Sequence, residues 1–203
     1  MDDATRPLDL ERKVPLTAVV LIPPKEVWGP IQTVREVHDP QFFRWMPHVT
    51  LLFPFVPERR LAEAAELLRP AAASIEPFEV TLQGFGHFTH ESGTGTAWVT
   101  PHPVSAMAEL QSALQKAMPW CDDVLMFSGG FTPHVSVGRF RSRGDAVRMT
   151  IRLDTTWEPV RFMAKEVALI SRSGAPNDPF HVQITLPLGA QSAVSAEEQP
   201  SAS

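Results

Sequence analysis

Residues 45–53 read WMPHVTLLF, and residues 131–140 read FTPHVSVGRF. Both put a proline, a histidine, a valine and a hydroxyl residue, in that order, on an apolar stretch rich in strand-forming residues. Side chains alternate across a strand, so His48 and Thr50 are expected on one face, with Val49, Leu51 and Phe53 on the other. By the same rule His134 and Ser136 share a face against Val135 and Val137. Two such strands can place two imidazoles and two hydroxyls around one small anion. Alternation also puts Gly138 on the face of His134, where a missing side chain leaves room for a substrate. It turns Arg139 to the opposite face, unless Gly138 introduces a bulge.

Working outward from the two motif strands, LTAVVLIPP (16–24) reads as a strand and 25–37 as a helix. The first motif strand covers 48–55 and is stopped by Pro54 and Pro57. Residues 58–69 repeat Leu, Ala and Glu and predict a helix closed by Pro70. Residues 78–88 and 94–100 predict an antiparallel pair joined at HESG. In the helix that follows, Met107, Leu110, Leu114 and Met118 recur at helical spacing and read as core. The second motif strand covers 132–140, a charged helix follows over 142–153, and 163–173 with 180–188 read as a hairpin around GAPND. The order nearly repeats itself. It predicts an α+β fold of two similar units, each with its own motif strand and hairpin, related by an approximate two-fold axis across a cleft. Residues 12–189 read as one such domain. The Ala-, Ser- and Glu-rich segment 190–203 has no periodicity and reads as a disordered tail.

Composition narrows the function classes. With 43% hydrophobic and 20% charged residues in 203, the chain can bury a core. Its N-terminus has no apolar leader and no run reaches membrane-spanning length, which predicts a soluble, cytoplasmic protein with no membrane partner. The 18 Lys and Arg against 23 Asp and Glu give a net charge of −5. That balance disfavours long nucleic acid, whose binding depends on clustered cations; a nucleotide or a short RNA end fits better. Arg139, Arg141, Arg143 and Arg148 form a local basic run beside the second motif. The single cysteine, Cys121, excludes an intrachain disulfide and any paired-cysteine metal motif. A monomer is expected.

A phosphodiester is attacked in line, so one group must deprotonate the nucleophile while another protonates the leaving oxygen. Two opposed histidines meet that need, because an imidazole titrates near neutrality. The hydroxyls of Thr50 and Ser136 can donate to the non-bridging oxygens. This chemistry requires neither metal nor cofactor. His87, His90 and Glu91 are close in sequence, but no second ligand cluster supports a metal site. His181 also alternates on an apolar strand and lacks the hydroxyl, so it is assigned to structure.

The two H-x-[T/S]-x motifs resemble those of the 2H phosphoesterases, which include 2'-5' RNA ligase-like proteins and cyclic nucleotide phosphodiesterases. The resemblance covers roughly residues 14–188. It implies a bilobal fold of two antiparallel sheets with flanking helices around a central cleft, His48 and His134 as catalytic residues, and Thr50 and Ser136 as phosphate ligands. It implies His134 as base and His48 as acid in hydrolysis of 2',3'-cyclic phosphates or related cyclic and 2'-5' linkages at nucleotides or RNA ends. Alternatives at the same site are 2'-5' RNA ligation, the reverse reaction, and a nucleotide-binding module without turnover. Serine at position 136 lies within the family pattern. The absence of tyrosine removes any stacking role such a residue plays in relatives, and Trp45 and Phe88 are the candidates for base stacking.

Overall fold

In the computed structural model the described residues are 10–126, 129–175 and 177–189; the expected tail, 190–203, lies outside them. In chain order they form β1 (Thr17–Leu21), α1 (Trp28–His38), β2 (Val49–Leu52), α2 (Leu61–Ala73), β3 (Phe78–Thr89) and β4 (Gly95–His102). There follow α3 (Val104–Ala117), β5 (Val135–Phe140), α4 (Arg143–Thr156), β6 (Val160–Ala164), β7 (Glu166–Ser171) and β8 (His181–Pro187). Two antiparallel four-stranded sheets result, with strand orders β2-β1-β7-β8 and β5-β4-β3-β6. Each motif strand is therefore the edge of its own sheet, paired to a strand that a helix separates from it in sequence.

The pseudo-two-fold relation extends to the helices. Helix α1, which leads into β2, packs on β5 of the other sheet, and α3, which leads into β5, packs on β2. Val19, Leu21, Val49 and Leu51 of one sheet join Val80, Val99, Val135 and Val137 of the other in one cluster of buried side chains. The expected stripe of Met107, Leu110, Leu114 and Met118 is wholly buried within it. The sheets thus share an apolar core on one side and flank a cleft on the other.

Two expectations about connectivity need correction. The repeated units do not each keep their own hairpin. The pair β3–β4 joins β5, whereas β7–β8 returns to β1 and β2. What reads as one strand over 163–173 is divided at Lys165 into β6 and β7, which belong to different sheets. Continuous apolar composition hides such a switch, because both halves are buried strands. Pro70 does not close α2, which continues to Ala73. Leu68 and Ala72 are buried, while Glu66, whose carbonyl loses its partner to the proline, is exposed and can be solvated. No helix among the described residues is long and apolar enough to cross a membrane.

Candidate active site

Both motif histidines sit immediately before their strands, and both are oriented by the same bond. The Nδ1 of His48 donates to the carbonyl of Met46 at 2.6 Å, and the Nδ1 of His134 donates to the carbonyl of Thr132 at 2.8 Å. A carbonyl can only accept, so the proton on each Nδ1 is fixed and each Nε2 is left with a lone pair. Thr50 lies opposite Val20, and Ser136 lies opposite Trp98. Cross-strand partners share a face. That places Thr50 with Val20, Ala18, Ala168 and Ile170, the small apolar cluster outside the main core.

The motif strands also share a backbone irregularity. Val19 and Val20 pair with Leu52 and Thr50, and Ala97 and Trp98 pair with Gly138 and Ser136. Leu51 and Val137 are therefore extra residues, so each motif carries a bulge directly after its hydroxyl residue. The burial pattern over the first four residues of both strands is correspondingly the same, with only the hydroxyl residue partly exposed. Beyond the bulge the alternation inverts, and three expectations change. Phe53 comes to the cleft face and meets the Trp45 ring edge-on at 5.9 Å. Arg139 pairs with Thr96, two residues from Trp98 on the same strand, and so joins Ser136 on the cleft face. Gly138 turns to the core side, where an added Cβ would lie 2.7 Å from the Cβ of His38 and 3.1 Å from the Phe140 ring. Its missing side chain admits α1, not a substrate.

Aromatic rings flank each histidine. Trp45 stacks on His48 at 4.7 Å and 19°, and also on Phe180 at 3.8 Å and 28°. Phe88 meets His134 edge-on at 4.9 Å, and Trp98 lies 6.0 Å from the same imidazole. The Trp98 indole occupies the space over Gly86, where a Cβ would come within 2.3 Å of it. Sequence reasoning singled out Trp45 and Phe88 but missed Phe180 and Trp98, whose proximity depends on cross-strand register.

It also missed Arg35. This guanidinium is only 2% exposed. Its Nε donates to Asp39 at 2.9 Å, its Nη1 to Gln32 at 2.9 Å and its Nη2 to the carbonyl of Trp45 at 2.8 Å. The Phe180 N–H donates to the Arg44 carbonyl at 2.8 Å. Three consecutive carbonyls, of residues 44, 45 and 46, are thus held by Phe180, just before β8, by Arg35 of α1 and by His48 in turn. The only advance signal for Arg35 is its position among the apolar residues of α1.

Burial pushes the His48 imidazole down to about 4; the Met46 carbonyl opposes this, while Arg35 and His134 add to it and Asp39 counters. The two histidines are close enough for the charge of one to bear on the other. Burial lowers His134 as well, against the pull of the Thr132 carbonyl. In the free protein both imidazoles are neutral at pH 7. Among the described residues no group of three His, Cys, Asp or Glu is placed to hold a metal. His90 Nε2 instead contacts the Thr96 hydroxyl at 2.8 Å.

Comparison with known proteins places these features in context. A family model described as the 2'-5' RNA ligase superfamily matches residues 23–176. A Geobacillus kaustophilus protein, named provisionally as a phosphoesterase, is 27% identical over 126 residues, covering 60% of this chain and 67% of the relative. One from Oceanobacillus iheyensis, named likewise, is 26% identical over 122 residues, covering 60% of this chain and 68% of the relative. The crystal structure of TT0787 from Thermus thermophilus has a similar fold, with a TM-score of 0.59 and 19% identity over 87% of this chain and 99% of that one. E. coli LigT, in its complex with 3'-AMP, gives a TM-score of 0.58 and 18% identity over the same shares.

Proposed function

The chain belongs to the 2'-5' RNA ligase superfamily, and from that premise we propose that it is a metal-independent phosphodiesterase that opens 2',3'-cyclic phosphates, or cleaves related cyclic or 2'-5' linkages, at nucleotides or RNA ends. One observation carries the reading: two histidines with the same Nδ1 anchor, each leaving Nε2 available and each two residues from a hydroxyl on a cleft-facing strand. Hydrolysis proceeds by attack of water on phosphorus as one neutral imidazole takes its proton. The other, protonated, gives a proton to the departing 2' or 3' oxygen as the P–O bond breaks. Family resemblance favours His134 as base and His48 as acid.

The hydroxyls of Thr50 and Ser136 donate to the non-bridging oxygens, where charge builds in the transition state. Arg139 adds a cation on the same face. Since both imidazoles are neutral in the free protein, the negative phosphodiester itself favours uptake of the proton that the acid needs. Structures of E. coli LigT are described with 3'-AMP, ATP and NADP+, which supports a nucleotide as the ligand here. Ligation would run the same groups in reverse. It needs two RNA ends held together, and a net charge of −5 disfavours that.

A turnover screen tests the proposal: 2',3'-cyclic nucleotides, RNA with a cyclic end and 2'-5' oligoadenylates, given to the wild type and to His48→Ala, with and without EDTA. The expected result is a phosphomonoester product from the wild type, unaffected by EDTA and absent with the variant. Turnover by His48→Ala would overturn the mechanism, and tight binding without turnover would favour the binding module.

A further inference from the structure

The cleft face of the first sheet continues beyond Trp45 into a groove of about 530 Å³ that contains none of the four motif residues. Its floor is made by Ala168 of β7 and Thr185 of β8, which are cross-strand partners. Ala168 is also a partner of Val20, which in turn lies opposite Thr50. The groove and the hydroxyl of the first motif therefore share one face of one sheet. Trp45 and Phe180, stacked together, form the wall between the groove and His48. Small floor residues give it depth, and the aromatic walls give it flat apolar surfaces.

Two features of the rim point to the occupant. Phe43 lines the groove yet is 85% exposed, meeting the Phe42 ring edge-on at 5.0 Å and leaving most of its own apolar surface to solvent. Lys25, also exposed on the lining, adds a cation, and Glu166, two residues before Ala168 on the same strand, can accept hydrogen bonds from ribose hydroxyls or a base amino group. Aromatic faces with a neighbouring cation are what single-stranded nucleic acid uses for stacking and phosphate neutralisation. A volume of this size exceeds the needs of a phosphate and suits a nucleoside.

We propose that this groove is a second nucleoside subsite, which holds the nucleoside on the 5' side of the one that carries the terminal phosphate, so that the substrate is an oligonucleotide end in preference to a mononucleotide. The proposal rests on the phosphodiesterase reading for the position of the phosphate. On the structure, one stacked ring separates that phosphate site from the groove. The terminal nucleoside lies in the cleft and the preceding one turns across Trp45 to stack against Phe43.

Equilibrium binding of reaction products tests this independently of turnover. The probes are 3'-AMP, the dinucleotide ApAp with a terminal 3'-phosphate, and the same dinucleotide lacking its 5'-side base, titrated against the wild type and Phe43→Ala. The wild type should bind ApAp about tenfold or more tightly than 3'-AMP, the lower range of what one stacked base contributes. Removal of the base or of the Phe43 ring should bring that ratio toward one. Because Phe43 is exposed, its truncation leaves the fold intact, which a thermal melt verifies. An ApAp affinity no better than that of 3'-AMP, or an advantage that survives both the abasic probe and Phe43→Ala, would overturn the subsite. If ApAp shows the expected advantage while no cyclic phosphate is opened, the groove stands and the catalytic reading falls. If cyclic mononucleotides are opened while ApAp gains nothing, the opposite holds.

Discussion

Replacing His48 with glutamine should remove a specific part of the acid sensitivity of the fold. Glutamine is neutral at every relevant pH and its amide can still donate to the Met46 carbonyl. In the wild type, burial holds the His48 imidazole at about 4, below the ~6.5 of an unfolded histidine. Protonation therefore favours the unfolded chain. The stability tied to neutral His48 is fully present above pH 6.5 and is lost as pH falls toward 4. The full difference corresponds to about 3 kcal/mol, of which about 2.5 kcal/mol is lost between pH 7 and pH 4.5. Urea unfolding of wild type and His48→Gln at those two values isolates the contribution, since His134 and His38, both also lowered by burial, titrate in each protein. The wild type should lose about 2.5 kcal/mol more than the variant on acidification. Equal losses in the two proteins would refute the claim that His48 is buried neutral against its Trp45 and Arg35 surroundings.

Further outcomes follow from the same geometry. The profile of kcat/KM against pH, which reports the free enzyme, should be bell-shaped with its maximum on the acid side of neutrality: one limb near 4 from His48 and the other set by His134, which burial also lowers, whichever of the two is the acid. An optimum above pH 8 would contradict it. Arg35→Met should cost about 3 kcal/mol or more in urea unfolding, because it leaves the Asp39 carboxylate without its cation and the Trp45 carbonyl without its donor. It should also move the His48 limb of the pH profile upward by removing a positive charge that acts on His48. Arg139→Met should raise KM by about tenfold at low salt and by less at high salt, as expected for a partly solvated cation facing an anionic substrate; a change in kcat alone would place Arg139 elsewhere.

The essentials of the site were legible because they depend on short-range periodicity. A histidine and a hydroxyl two residues apart must share a strand face, and two such strands suggest a shared anion. Alternation failed one residue later, at Leu51 and Val137, because neither residue type marks a bulge, and Gly138, which allows for one, only follows it in the second motif. Phe53, Gly138 and Arg139 were consequently assigned to the wrong faces, each by that one inverted step. Pairing across sheets was equally hidden. Lys165 separates two strands of different sheets within an unbroken apolar stretch, and Phe180 reaches Trp45 only because β7 returns to β1 after a long excursion and brings β8 with it. Arg35 shows a further limit: a charged residue on an apolar helix face gives no hint that it will hold the loop before the first motif. Pro70 was over-read as a helix stop, although a proline near an exposed last turn costs only one solvated carbonyl.

The central claim is that His48 and His134 act as one acid–base pair on a phosphodiester. The most direct measurement is kcat/KM toward a 2',3'-cyclic phosphate for His48→Gln, His134→Gln and the double variant, with folding verified for each by circular dichroism. Each single variant should lose about a hundred- to ten-thousand-fold. The double should lose little more than the worse of the two, because groups that work as a unit are not additive. Wild-type activity in either single variant would contradict the account.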